Sequence, residues 1–231
     1  MFEQVNSKVV AVDPGRAGGV VARAGGMLFY TGDITFAPHE VPGAGSMGGG
    51  GLVRMAGRMM AGEHQRTMLA QGAGQVHYGF AGLEVQVVSL QPGATLQVEA
   101  SRLLAYTAGL QTSVVSVASS GGGGGGGGFM GALRGAASGA LTGQGMFTTQ
   151  LSGQGAAVLL AHGGFLELLV GGPNPVVVDP QAFIAGYGAV HTELKSAMSW
   201  RDAVGRGAGE AMQLHCAGQG VVYVQASEEK L

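Results

Sequence analysis

The chain has 231 residues, of which 46% are hydrophobic, only 11% are charged and 46 are glycine, and its formal net charge is −2. The charged fraction is less than half the usual value of about 25%, and glycine far exceeds its average of about 7%. The chain carries no basic stripe, so we expect no nucleic-acid partner. The single cysteine, Cys216, excludes an intramolecular disulfide and a multi-cysteine zinc site.

The N-terminal segment MFEQVNSKVVAVDPGRAGG has neither the basic region nor the apolar core of a signal peptide. No window of about 18 uncharged apolar residues predicts a transmembrane helix. We therefore expect a cytoplasmic protein with a single domain over residues 1–231. Within it, residues 1–16 are interpreted as an additional leading strand.

Two landmarks occur three times in the same order. The first is an apolar segment that aligns without gaps at offsets of 76 and 80 residues, at Met27–Ile34, Leu103–Leu110 and Phe183–Val190. The second is a glycine pair that leads into an apolar strand, at Gly72 and Gly74, Gly153 and Gly155, and Gly218 and Gly220. We interpret the chain as three pseudo-repeats, or modules, near residues 17–91, 92–172 and 173–226. A short repeat buries its apolar face against its neighbours, so the modules should form one β-sandwich or barrel-like body.

Short apolar runs between glycine and proline turns predict strands, as at Val85–Val88, Leu96–Val98 and Val176–Val178. The continuous run FLELLV, Phe165–Val170, is typical of a strand buried on both faces. Helix formers at helical spacing predict two short helices in the variable inserts, at Leu52–Met60 and Lys195–Val204. The predicted fold class is mainly β with a few short helices.

Two glycine runs are candidates for phosphate-binding loops, the octet Gly121–Gly128 and the segment Met47–Gly51. Such a loop opens a helix and needs a lysine and a serine or threonine in fixed register, and neither run has them. We interpret both runs as surface loops. Ordering eight glycines costs backbone entropy, so the octet is predicted to be mobile.

None of the six histidines forms a recognised metal-binding spacing. They are His39, His64, His77, His162, His191 and His215. A metal-dependent enzyme would require His77, His162 or His215 to converge with a carboxylate. The other interpretation is surface or hydrogen-bonded core histidines.

No nucleophile motif is present, and Cys216 lies in an apolar strand where a buried, inert thiol is expected. The few charged residues that could pair are interpreted as fixing turns, and they are Asp33, Glu63 and Glu210 with Arg58 and Arg206. We therefore assign no catalytic, cofactor-binding or metal-binding residue. We expect no enzyme activity and no cofactor.

Methionines cluster in the first insert, where Met55, Met59 and Met60 lie close to Leu52 and Val53. One interpretation is a helix that faces the core. The alternative is an exposed apolar strip that contacts another subunit or a lipid surface, because methionine adapts to varied contact surfaces.

Several segments together carry a family likeness: MLFYTGD, AGRMMAGEH, GAGQVHYG, GGGFMGALRGAASGALTGQGMFTTQLSGQGAAVLLAHGG and VVVDPQAFIAGY. In this order they resemble the mitochondrial-biogenesis family named for altered inheritance of mitochondria, and its bacterial homologues, from about residue 18 to residue 226. The resemblance implies a β-sandwich or barrel-like body related to the trp RNA-binding attenuation protein, plus short helices. It supplies no catalytic residues. RNA binding does not follow from the fold.

Repeat architecture, low charge and methionine-rich inserts favour a non-enzymatic structural or interaction protein that acts as a homo-oligomer. Self-association is the expected interaction, and a membrane surface or another protein is a further candidate partner. The alternative is a binding module with a pocket between modules for a small molecule, a sugar or a lipid headgroup.

Overall fold

The computed structural model describes residues 1–39, 66–116, 118–119, 147–196 and 212–228, and this part of the chain is mainly β, as predicted. Its strands are β1 (Glu3–Asn6), β2 (Val9–Val12), β3 (Val20–Arg23), β4 (Met27–His39), β5 (Thr67–Tyr78), β6 (Glu84–Leu90), β7 (Thr95–Glu99), β8 (Leu103–Thr107), β9 (Gln111–Ser116), β10 (Ala118–Ser119), β11 (Phe147–Ser152), β12 (Gly155–Ala161), β13 (Phe165–Val170), β14 (Val176–Val178), β15 (Phe183–Ser196) and β16 (Met212–Gln225). The described helical elements are α1 (Pro14–Ala17) and a 3₁₀ turn (Ala100–Arg102).

Helix α1 is defined by the residues at its two ends. The Oδ1 atom of Asp13 accepts hydrogen bonds from the N–H groups of Gly15 (2.9 Å) and Arg16 (3.2 Å). Pro14 occupies the first turn, and Gly18 ends the helix with a φ of 71°. These are the usual signals of an N-cap, a first-turn proline and a left-handed C-terminal glycine. The leading segment, predicted as one strand, is therefore β1, β2 and α1.

The first sheet has the strand order β1-β2-β5-β3-β8-β12-β6, with β4 beside β5. Its two ends approach each other. The N–H of Val85 donates to the carbonyl of Ser7 at 2.7 Å, and the Nε2 of Gln4 donates to the carbonyl of Val85 at 3.1 Å. These contacts join β6 to the β1–β2 hairpin, so the first sheet is a nearly closed barrel. A barrel of this kind leaves few free strand edges.

The second sheet has the order β13-β16-β15-β7-β11-β9, with β14 beside β16 and β10 beside β15. Strand β12 lies between the two cores and is buried along its whole length. Ala156, Val158 and Leu160 join the core inside the first sheet. The alternate residues, Ala157, Leu159 and Ala161, join a core that also contains second-sheet residues such as Leu96 and Ile184. Because strand side chains alternate between faces, one strand serves both cores.

The expected burial of Phe165–Val170 is wrong. These residues form β13, but β13 pairs only with β16 among the described strands, and Leu169 is 84% exposed. Phe165, Leu168 and Val170 contact the cores, whereas Leu166, Glu167 and Leu169 are exposed, so hydrophobicity alone does not bury this strand. The strand that is buried on both faces is β12, whose sequence is GAAVLLA.

The predicted helix at Lys195–Val204 does not begin where expected, because Lys195 and Ser196 belong to β15. Pairing with β16 extends to these residues and overrides their helix propensity. The rest of that segment lies outside the described residues. So do the predicted helix at Leu52–Met60, the glycine octet Gly121–Gly128 and the segment Met47–Gly51.

Three antiparallel pairs share one irregularity. In the pairs β4–β5, β8–β12 and β15–β16, the register skips one residue of the first strand. The skipped residues are Leu28, Leu104 and Ile184, the positions that the ungapped alignment places together. Such a skipped residue is a β-bulge, which bends a strand and increases its twist. The module boundaries themselves stay a prediction.

Glycine is required at one position in each of two strand pairs, β4–β5 and β15–β16, where the backbones of the two paired strands come very close. Gly72 has a φ of 117° and Gly218 a φ of 107°. A Cβ at Gly72 would collide with the carbonyl oxygen of Asp33, and a Cβ at Gly218 with that of Ala189. The backbone conformation and the close approach of the partner strand both exclude larger residues there.

Candidate interaction surface

Strand β4 exposes a run of large apolar side chains. It pairs with β5 along its whole length, and no other described strand pairs with its second edge. Leu28 and Phe29 are each 52% exposed and Tyr30 is 46% exposed. Natural proteins usually protect an exposed strand edge with charges, proline or a covering segment. Between Met27 and Thr31 the sequence of β4 contains neither a charge nor a proline.

Phe29 and Tyr30 are consecutive in β4, so their rings flank its second edge from opposite faces of the sheet, and each ring is held in place by a neighbour. The ring of Phe29 stacks on His77 with centroids 4.0 Å apart and an interplanar angle of 15°. The ring of Tyr30 meets Phe36 edge-on at 5.3 Å. Rings fixed before binding lose little conformational entropy when a partner covers them. The surface is therefore apolar and preorganised.

Strand β14 also carries an exposed apolar residue. Strand β14 pairs with β16 through Val176–Val178, and no other described strand pairs with its second edge. Val177 is 49% exposed. The neighbouring strand β13 also exposes Leu166 and Leu169. Strands β4 and β14 lie in different sheets.

Strands β3 and β8 pair with each other along edges that correspond to the second edges of β14 and β4, where no described strand is paired. Val21 lies opposite Tyr106, and both side chains are buried. Burial raises the pKa of Tyr106 to about 12. Nearby, the Nη1 of Arg23 donates to the carbonyl of Ser101 at 2.9 Å. This junction is a buried strand-to-strand contact within one chain.

Arg23 closes one end of that junction. Its guanidinium lies 3.9 Å from the centroid of the Phe80 ring, a cation–π contact. Burial lowers the pKa of Arg23, and the charge of Glu99 opposes the shift. Arginine side chains in proteins stay protonated at neutral pH. Arg23 therefore contributes a fixed positive charge beside Glu99.

The histidines considered as metal ligands are spread over separate elements. His77 lies in β5, His162 follows β12 and His215 lies in β16. Within the described ranges, no three or more His, Cys, Asp or Glu side chains form a group that could hold a metal ion. The convergence that a metal-dependent enzyme would need is thus not found among these residues. His39 and His191 lie in β4 and β15, and His64 lies outside the described residues.

The structure confirms that Cys216 is buried, and burial raises the pKa of its thiol to about 11. A thiol with so high a pKa carries little of the reactive thiolate at neutral pH. Asp33 is exposed in β4. Its predicted partners, Arg58 and Arg206, lie outside the described residues. So do the other two acidic residues of that prediction, Glu63 and Glu210, and the methionine cluster of Met55, Met59 and Met60 with Leu52 and Val53.

Two comparisons with known proteins find a match, one to a family and one to a fold. The family model described as Mitochondrial biogenesis AIM24 matches residues 2–227. The crystal structure of protein SPYM3_0169 from Streptococcus pyogenes superimposes with a TM-score of 0.66 at 17% identity, covering 98% of this chain and 92% of that one. No curated protein matches the chain. Among the described helices, none has the length and apolar character needed to cross a membrane.

Proposed function

The chain belongs to the mitochondrial biogenesis AIM24 family, and we propose that it is a non-enzymatic structural or interaction protein that acts as a homo-oligomer. The observation that carries this proposal is the exposed apolar edge of β4, formed by Leu28, Phe29 and Tyr30. Burying a large apolar side chain contributes about 1.5–3 kcal/mol. Leu28, Phe29 and Tyr30 are each about half exposed, so covering them contributes about half of this value for each side chain.

The surface suits a protein partner rather than a polar ligand. Its rings present apolar faces beside a strand edge that no other described strand pairs with. Such an edge offers main-chain N–H and C=O groups to another strand. Asp33 is the single acidic side chain of β4, and no lysine or arginine occurs in that strand. Little charge has to be desolvated when such a surface is covered.

Light scattering coupled to size exclusion tests the proposal at micromolar concentrations. The parent chain is expected to elute with more than the monomer mass, and Tyr30→Ser is expected to shift the mass towards the monomer. Val5→Ser is the control, because Val5 is 53% exposed on β1, away from the β4 edge. A parent chain that stays monomeric up to high concentration would contradict the proposal.

The remaining expectations stay predictions. A pocket for a small molecule, sugar or lipid headgroup is tested by thermal shift, because a ligand that binds only the folded state raises Tm. Association with a membrane surface is tested by vesicle sedimentation. A cytoplasmic location is tested by fractionation of cells that produce the full chain.

A further inference from the structure

The structure links its hairpins by one repeated contact. Strand β3 pairs with β5 and, on its other edge, with β8. Strand β7 pairs with β11 and, on its other edge, with β15. Strand β3 thus joins β5, a strand of the β4–β5 pair that follows it in the chain, to β8 of the next predicted module. Strand β7 likewise joins β11, which follows it in the chain, to β15 of the next predicted module. The two contacts are antiparallel.

The two contacts also agree residue by residue. Val20, Val21 and Ala22 lie opposite Thr107, Tyr106 and Ala105. Leu96, Gln97 and Val98 lie opposite Tyr187, Gly186 and Ala185. The second set follows the first by 76 residues on the short strand and by 80 residues on the hairpin strand, which are the offsets of the ungapped alignment.

Strand β14 is the third short strand in this series. Its pairing with β16 places Val176, Val177 and Val178 opposite Cys216, His215 and Leu214. The β3–β5 pairing has the matching register, with Val20, Val21 and Ala22 opposite Ala70, Leu69 and Met68. Among the described strands, β16 alone pairs with β14, and none lies on its second edge. At the other end of the series, no described short strand pairs with the second edge of β4 in the way that β3 pairs with β8.

We propose that β14 of one copy pairs with β4 of a second copy, antiparallel and in the register of the two internal contacts. That register places Val177 opposite Tyr30, Val176 opposite Thr31 and Val178 opposite Phe29. The inference rests on the proposed self-association and specifies its geometry. Because two different edges meet, the contact is head-to-tail, and repeated copies form a closed ring or an open fibre.

Side-chain burial supports a second copy of this chain as the occupant. Tyr106 and Val21 face each other and are buried in the internal contact. The corresponding residues, Tyr30 and Val177, are each about half exposed. Tyrosine opposite valine therefore repeats a pairing that the chain already uses. Within the described chain β4 and β14 are not paired with each other, which leaves both edges for another copy.

Mixed disulfide crosslinking tests the contact. Directly opposite residues of antiparallel strands have Cα atoms about 4.5–5.5 Å apart, which a disulfide can bridge. Two variants, Tyr30→Cys and Val177→Cys, are oxidised separately and as a mixture. Leu169→Cys mixed with Tyr30→Cys is the control, because Leu169 is more exposed but lies on β13. Native Cys216 is buried and is retained in all samples.

We expect a crosslinked dimer only in the mixture of Tyr30→Cys with Val177→Cys. Crosslinking of Tyr30→Cys by itself would indicate that two β4 strands pair and would overturn the inference. Oligomers in light scattering without the mixed crosslink would also overturn it, while leaving the proposed function in place. A monomeric parent chain would contradict both.

A second measurement covers the case in which the cysteine variants fold poorly. Val177→Lys places a charge in the proposed contact and is expected to weaken association at least tenfold. Val5→Lys is the matched control and is expected to leave association unchanged. Equal dissociation constants for Val177→Lys and the parent chain in analytical ultracentrifugation would overturn the inference.

Discussion

Strands β4 and β15 have the same backbone design and opposite surroundings. Both carry the bulge, at Leu28 and at Ile184. Both also place a glycine with φ of 91° opposite a glycine near 155°, Gly32 with Gly74 and Gly188 with Gly220. Yet Ile184 is fully buried and Leu28 is 52% exposed. Strand β15 has β7 paired with its second edge, and its bulge residue is buried. Strand β4 has no described strand in that place, and its bulge residue is exposed.

The largest difference between covered and uncovered positions is expected on truncation at the bulge. Leu104→Ala removes a fully buried side chain and should lower the free energy of unfolding by about 2–5 kcal/mol. Leu28→Ala is the matched substitution at an exposed bulge and should change it by less than about 1 kcal/mol in the dissociated chain. Urea unfolding at low protein concentration measures both. Equal losses would show that β4 is already buried in the monomer.

The next largest loss of stability is expected on substituting a glycine at the close approach of two paired strands. Gly218→Ala combines a φ of 107° with a collision against the Ala189 carbonyl, and should lower the free energy of unfolding by about 1–3 kcal/mol. Gly171→Ala is the control, because Gly171 has open space around its Cα. Thermal unfolding compares the two. If both variants have the Tm of the parent chain, the close approach of β15 and β16 at Gly218 does not exist in solution.

The smallest effect concerns pH at the covered junction. Burial raises the pKa of Tyr106 to about 12, whereas an unfolded tyrosine ionises near 10. Between these values the unfolded chain binds fewer protons than the folded chain, so stability falls as pH rises from about 10 to about 12. Tyr106→Phe removes the ionisable group and should flatten this slope. Chemical unfolding at several alkaline pH values measures it, and an unchanged slope would mean that solvent reaches the hydroxyl.

Much of the fold follows from local sequence signals. The strands at Leu96–Val98 and Val176–Val178 lie between proline and glycine turns, and the buried Cys216 lies in an apolar strand. These signals act within a few residues, so a sequence carries them directly. Burial does not, because it depends on which strand lies alongside. The apolar run at Phe165–Val170 is an outer strand, while the alanine-rich β12 serves two cores.

The candidate surface could have been found from the repeated landmark. The ungapped alignment places Leu28 with Leu104 and Ile184, and Tyr30 with Tyr106. A linear series of hairpins leaves its first and last members without a neighbour on one side. What the sequence lacks is the pairing itself, which runs from β3 to β8 and from β7 to β15.

Amide hydrogen exchange tests most directly whether β4 is an interaction edge. Peptides that cover Met27–Thr31 and Leu103–Thr107 are followed at protein concentrations below and above the association range. We expect exchange in Met27–Thr31 to slow as concentration rises, because a second strand protects its amides, while Leu103–Thr107, already paired on both edges, stays unchanged. Exchange in Met27–Thr31 that is fast and independent of concentration would contradict the assignment of β4 as the interaction edge.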